Sequence, residues 1–217
     1  MVGLTMATVG VHPDDRVLDV GCGLGRLALP LSRLLDDDAR YDGFDTSDEY
    51  IEWCRSSLGL DPARFRFHHF EIRSSHYNMR ASVAPETFVF PWPESTFTLT
   101  VAVSLFTHLS ASATRHYLAE IARTLQPGGR LFATFFALDE EASRLAAAGL
   151  TSPRLVTRVD EGMLGDAANP DAAVAFDAEW LAAALTSAGL AFDAFYPGRW
   201  RQIAAVSHQD IIVAHKP

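Results

Sequence analysis

The chain alternates short apolar runs with stretches whose apolar positions recur every three or four residues. Arg16-Val17-Leu18-Asp19-Val20 is a strand-like run that ends in glycines. Beyond it Leu24, Leu27, Ala28, Leu31 and Leu34/Leu35 recur at helical spacing up to Asp36-Asp37-Asp38, with Pro30 as a kink or close to the helix start. Tyr41-Asp42-Gly43-Phe44-Asp45 predicts a second strand, followed by a helix through Tyr50, Ile51 and Cys54. Residues 65–72 alternate as a third strand, and 97–105 form an apolar, β-rich fourth. A helix over 116–125 stops at Gln126-Pro127-Gly128-Gly129, a turn signal. Residues 130–136 predict a buried strand, 177–188 a helix closed by Gly189, and 191–195 with 210–215 a C-terminal antiparallel hairpin. Between them 137–175, with Gly149, Pro153, Gly162, Gly165 and Pro170, reads as an irregular insertion.

Alternation of this kind predicts an α/β fold: a Rossmann-like, seven-stranded, mainly parallel sheet with helices on both faces. The 217 residues suit a single domain. Ligands of such sheets bind at the C-terminal strand ends, which gives the residues just after strands most weight. With 18 Lys+Arg against 27 Asp+Glu, the net charge of −9 argues against nucleic acid, whose binding draws on Lys and Arg. No apolar run approaches the length that spans a bilayer, and the first residues do not resemble a signal peptide. Two cysteines cannot form a disulfide scaffold or a four-Cys zinc site. A cytoplasmic protein without membrane contact is expected.

The sharpest local feature is Val17-Leu18-Asp19-Val20-Gly21-Cys22-Gly23-Leu24-Gly25. Its glycines allow a tight turn and a close backbone approach to a ligand, and Asp45, twenty residues on, can accept ribose hydroxyls. A purely structural turn, a dinucleotide site and an S-adenosylmethionine site compete. The dinucleotide fingerprint G-x-G-x-x-G fails, because the third glycine comes one residue early and Arg26 stands in its place. Asp19 beside the turn suits an ammonium or a water network and would repel a pyrophosphate, which favours S-adenosylmethionine.

These residues resemble the class I S-adenosylmethionine-dependent methyltransferases from about Asp14 to the C-terminus. The match continues through Asp42-Gly43-Phe44-Asp45-Thr46, Glu71-Ile72, Pro91-Trp92-Pro93-Glu94-Ser95-Thr96-Phe97, Leu125-Gln126-Pro127-Gly128-Gly129-Arg130-Leu131 and Gln209-Asp210-Ile211-Ile212-Val213. Trp53-Cys54, His76-Tyr77-Asn78, Ser104-Leu105-Phe106-Thr107-His108, Tyr117-Leu118-Ala119-Glu120-Ile121 and Thr134-Phe135-Phe136 resemble a bacterial subgroup that acts on small molecules. The resemblance implies S-adenosylmethionine held by Asp19, Gly21, Cys22, Gly23, Gly25, Asp45, Thr46, Glu71, Ile72, Ser104 and Leu105. It implies methyl transfer to a small-molecule acceptor, with a hydroxyl oxygen favoured over nitrogen or carbon. The alternative is a catalytically silent protein of the same fold that binds or regulates a partner. A nicotinamide oxidoreductase is disfavoured by the glycine spacing.

Two departures from the family pattern stand out. Thr98 replaces the Asp that usually follows the Phe opening the fourth strand, and only about fifteen residues precede Arg16, where relatives carry a lid. Either the true start lies upstream, or the lid is reduced, or another subunit, as in a homodimer, covers the site.

A base is needed where the acceptor must lose a proton. His108, just after the fourth strand, is the candidate, against the alternative of a helix-start histidine bonded only to backbone. Thr107 reads as a helix cap or a pocket hydroxyl. His76, Tyr77 and Phe136 are candidate substrate contacts; 154–165 either builds the acceptor pocket or mediates dimerisation, and Trp200 and Arg201, in the late hairpin, either border the pocket or form a turn between strands. His68 and His69 point to opposite faces of a strand, so no metal site is expected.

Overall fold

The computed structural model describes residues 9–75 and 77–217. Its main sheet has seven strands: β1 (Arg16–Val20), β2 (Arg40–Asp45), β3 (Phe65–His69), β4 (Phe97–Ala102), β5 (Leu125–Phe135), β10 (Ala191–Tyr196) and β11 (Asp210–His215). Their order across the sheet is β10-β11-β5-β4-β1-β2-β3. β3, β2, β1, β4 and β5 run parallel, whereas β11 lies antiparallel between β5 and β10. The strand order reverses at β1/β4, and ligands of open α/β sheets bind at such a switch point.

Alternation along each strand sends side chains to two separate cores. On one face Leu18, Val20 and Phe44 pack under the helix α3 (Ala111–Thr124) and the helix α5 (Ala178–Ser187). On the other, Val17, Leu99 and Val101 pack under α1 (Ala28–Leu31) and α2 (Asp48–Ser57). α2 and α3 start at serine caps, Ser47 and Ser110, whose hydroxyls accept from Tyr50 N and Ala113 N.

Several elements depart from the sequence pattern. The helix expected over 24–35 shrinks to the four residues of α1, flanked by turns. Gly25 at φ +67° and Pro30, which has no N–H, stop it from propagating, yet Leu27, Leu31 and Leu35 are still buried. β3 and β4 end three residues earlier than their apolar runs, at His69 and Ala102. α3 begins at Ala111 rather than at 116.

The 137–175 segment is also more regular than expected. Here β6 (Ala137–Leu138), β7 (Thr157–Val159), β8 (Gly162–Leu164) and β9 (Val174–Asp177) form a second sheet in the order β6-β9-β8-β7, with the helix α4 (Glu140–Ala147) beside it. Arg201 anchors this part to the main sheet. Only 5% exposed, its guanidinium donates to Ala137 O at 2.6 Å, reaches Asp210 at 3.3 Å and pairs with Asp139. Among the described residues no helix is long and apolar enough to cross a membrane.

Candidate active site

At the C-terminal ends of β1, β2 and β4 lies a cavity of about 230 Å³. Nine of the residues singled out from the sequence line it: Gly21, Gly23, Asp45, Thr46, Ile72, Tyr77, Ser104, Leu105 and His108. Gly21 and Cys22 both donate to Phe44 O at 2.9 Å, which ties the turn to the end of β2. Asp45 Oδ2 accepts from Gly23 N at 2.8 Å and Oδ1 from Ser47 N at 3.0 Å. Each carboxylate oxygen has a second acceptor site, so Asp45 keeps capacity for a pair of hydroxyls. Gly23 has φ +52°, and a Cβ built on it would meet nothing within 4 Å. Gly23 also lines the cavity, so a larger side chain there would take up space beside the turn. The residues present therefore fit a ribose-bearing cofactor lying close to the glycine backbone.

Ser104 forms another part of the wall. It is a non-glycine residue at φ +57°, a conformation that needs outside support. Ser104 N donates to Thr134 Oγ1 at 2.8 Å, and its hydroxyl donates to Gln209 Oε1 at 3.0 Å. Gln209 also accepts from Thr134 at 2.6 Å and donates to Thr107 Oγ1 at 3.2 Å. The start of β11 thus pins the turn after β4.

His108 closes a short helical turn, Phe106–His108, with Nδ1 2.8 Å from Asp171 O. A carbonyl only accepts, so Nδ1 carries the proton and the basic lone pair of the neutral ring is at Nε2. His108 also lines a neighbouring groove of about 320 Å³. Both parts of the space share Arg73, Ser74, Pro85, His108 and Leu109.

Other assignments need correction. Asp19 does not reach the cavity. It is 2% exposed, lies on the α1/α2 side of β1, and accepts from Tyr41 Oη at 2.6 Å. Gly43 makes this possible, because a Cβ there would come within 2.9 Å of the Tyr41 ring. Burial, assisted by the charge of Asp45 and opposed by the Tyr41 hydrogen bond, pushes the Asp19 carboxyl up to about 7. Cys22 and Gly25 lie beneath the turn, and Glu71 is an exposed acceptor for Asn78 at 3.1 Å. These four residues support the turn and its surroundings without lining the space.

The expected substrate contacts Thr107 and Phe136 are buried. The left-handed turn at Ser104 rotates Thr107 inward to Gln209, and Phe136 packs on Trp200 with ring centroids 5.1 Å apart. Residues 154–165, Trp200 and Arg201 are likewise absent from the walls; the insertion meets the site through Asp171 instead. His76 lies outside the described residues. Periodicity places Tyr50 on a helix without pointing to the cavity and gives no hint of Arg73 or Gln209, although Gln209 opens a segment already matched to the family's last strand. Among the described residues, no group of three or more His, Cys, Asp or Glu side chains could hold a metal ion.

A family model described as a methyltransferase domain matches residues 17–129, slightly more than half of the chain. The ribosomal protein L11 methyltransferase of Ralstonia pickettii is 31% identical over 155 residues, 70% of this chain and 42% of the relative. A ubiquinone/menaquinone biosynthesis C-methyltransferase of Teredinibacter turnerae is 30% identical over 133 residues, 61% and 47%. This chain thus spans less than half the length of either curated relative. A solved S-adenosylmethionine-dependent methyltransferase of Methanosarcina mazei superposes with a TM-score of 0.60 at 18% identity, covering 95% of this chain and 94% of that one. By its motifs, its strand order and these matches, the chain belongs to the methyltransferase-domain family, the class I methyltransferases whose cofactor is S-adenosylmethionine.

Proposed function

We propose that the protein transfers a methyl group from S-adenosylmethionine to a hydroxyl oxygen of a small molecule. When bound, the cofactor supplies a methyl group on a sulfonium that leaves as a neutral thioether. Gly21 and Gly23 admit it to the backbone, and Asp45 accepts from its ribose hydroxyls. The observation that supports the oxygen assignment is the position of His108, which lines both the cavity and the groove and is oriented by the Asp171 carbonyl on Nδ1, so that Nε2 is the basic nitrogen of the neutral ring. As the new carbon–oxygen bond forms, the acceptor's proton passes to that nitrogen. Phe106, Leu105 and Leu109 keep the end of β4 apolar and help to exclude water. The groove beside His108 suits a small acceptor, and the charge of −9 supports an acceptor other than nucleic acid.

The test is calorimetry with S-adenosylmethionine and with NAD, followed by labelled-methyl transfer to a panel of hydroxyl and thiol acceptors. The protein should bind the first cofactor and methylate an alcohol or phenol. His108→Ala should then slow oxygen acceptors by roughly 10²-fold or more, the scale of general base catalysis, and thiols far less. Equal slowing of both would leave His108 as a contact only, and binding of NAD alone would sink the assignment.

A further inference from the structure

The space beside His108 carries a charge arrangement that the methyl-transfer reading leaves unused. Arg26 and Arg73 line the cavity, and among the described residues neither guanidinium makes a hydrogen bond or an ion pair. Arginines that serve the fold behave differently: Arg55, Arg123 and Arg130 are all tied to carbonyls or carboxylates. Both side chains are exposed, as are Arg66 and Arg80, which also make no side-chain hydrogen bond or ion pair among the described residues; what distinguishes Arg26 and Arg73 is that they line the cavity, where they favour anionic ligand groups. The cofactor brings a single carboxylate. Arg26 lines only the cavity, on the glycine turn, whereas Arg73 lines both the cavity and the groove beyond His108.

We propose that Arg73 binds a carboxylate of the acceptor, so that the substrate is a small hydroxy acid whose hydroxyl faces His108. This rests on the methyl-transfer reading of the site. A guanidinium matches a carboxylate through two parallel hydrogen bonds, which orients the ligand as well as holding it. Pro85 and Leu109, shared by both parts of the space, give the body of the acid an apolar wall. Glu86, held by the Ser110 hydroxyl at 2.9 Å, and Asp171 line the same groove. Their charge admits a monoanion more readily than a phosphate dianion.

The full-length protein saturated with S-adenosylhomocysteine can be titrated with the three hydroxybenzoate isomers, 3-hydroxybutanoate, their methyl esters and phenyl phosphate. At least one acid should bind roughly tenfold or more tighter than its ester, as expected for a charge-assisted pair. Arg73→Gln should abolish that preference and leave the affinities for ester and S-adenosylhomocysteine unchanged; Arg73→Lys should restore part of it. Equal binding of acid and ester, a preference that survives Arg73→Gln, no acid binding at millimolar concentration, or tighter binding of phenyl phosphate would each overturn the proposal. Failure to bind S-adenosylhomocysteine would overturn the cofactor reading instead. The acid titration, run on the protein alone, would still report on Arg73.

Discussion

The two carboxylate-bearing corners of the main sheet are built on opposite plans. At the ends of β1 and β2, Asp45 is held by backbone N–H groups of a glycine turn and stays half-buried, facing a cavity. At the ends of β5 and β11, Asp210 is fully buried, accepts from Ala137 N at 2.8 Å and Gly198 N at 2.7 Å, and faces the Arg201 guanidinium. Burial raises the Asp210 carboxyl against the pull of those donors, whereas Asp139, at the rim, is lowered although burial opposes it. Backbone donors can position an acid and leave it accessible to a ligand. A buried ion pair can only hold elements together.

Removing Arg201 should test that division most severely. Arg201→Met keeps much of the volume but leaves Asp210 without its cation, which costs about 3–5 kcal/mol when one partner of a buried pair is lost. Urea unfolding should show the loss, while calorimetry should find the affinity of the folded protein for S-adenosylmethionine nearly intact. A parallel loss of affinity would mean that the two corners are coupled.

Asp19 is a third case, an acid under the glycine turn whose only hydrogen-bonding partner among the described residues is neutral Tyr41. Its carboxyl titrates near 7 in the folded chain against 3.8 in the open chain. The stability it contributes is fully present below pH 4 and is lost as pH rises to about 7, because the unfolded state ionises first. Asn accepts the same Tyr41 hydrogen bond and has no proton to lose. Asp19→Asn should therefore stabilise the protein by a few kcal/mol at pH 8, at 1.4 kcal/mol per pKa unit, and hardly at pH 4. Thermal melts across that range decide it; a constant offset would place the Asp19 pKa near its ordinary value.

Asp45→Ala inverts the Arg201 experiment. Loss of the ribose acceptor should weaken S-adenosylmethionine by roughly ten- to a hundredfold, and stability should change far less. Unchanged affinity would move the cofactor away from this corner.

The same contrast explains what the sequence made visible. The glycine turn and Asp45 were legible because their constraints are local: a turn that side chains would obstruct, and an acid at the next strand end. The insertion was not. β7 and β8 have three residues each, too few to show alternation, and Arg201 meets Asp139 and Ala137 more than sixty positions away. Motif position points Asp19 toward the ligand, and Thr107 reads as a helix cap or a pocket hydroxyl. Alternation along β1 sends Asp19 to the α1/α2 core, and the turn at Ser104 sends Thr107 inward. Arg73 lies in a loop without periodicity, and only the cavity marks it out.

Thr98, a departure from the family pattern, belongs to the holding plan and calls for the smallest test. At the start of β4, far along the sheet from the cavity, its hydroxyl donates to Asp15 Oδ1 at 2.6 Å and accepts from Arg16 N at 2.9 Å. Asp15, 2% exposed, already pairs with Arg130 at 2.5 Å and accepts from His12 N at 2.7 Å. An Asp at position 98 would set a second carboxylate against one that a single guanidinium serves, and a hydroxyl bridges the same groups without added charge. Thr98→Val keeps the shape and removes both hydrogen bonds. It should cost about 1–2 kcal/mol in unfolding free energy and leave cofactor affinity alone, since Arg130 still covers Asp15. A loss as large as that of Arg201→Met would show that the hydroxyl, rather than the ion pair, anchors this end of the sheet.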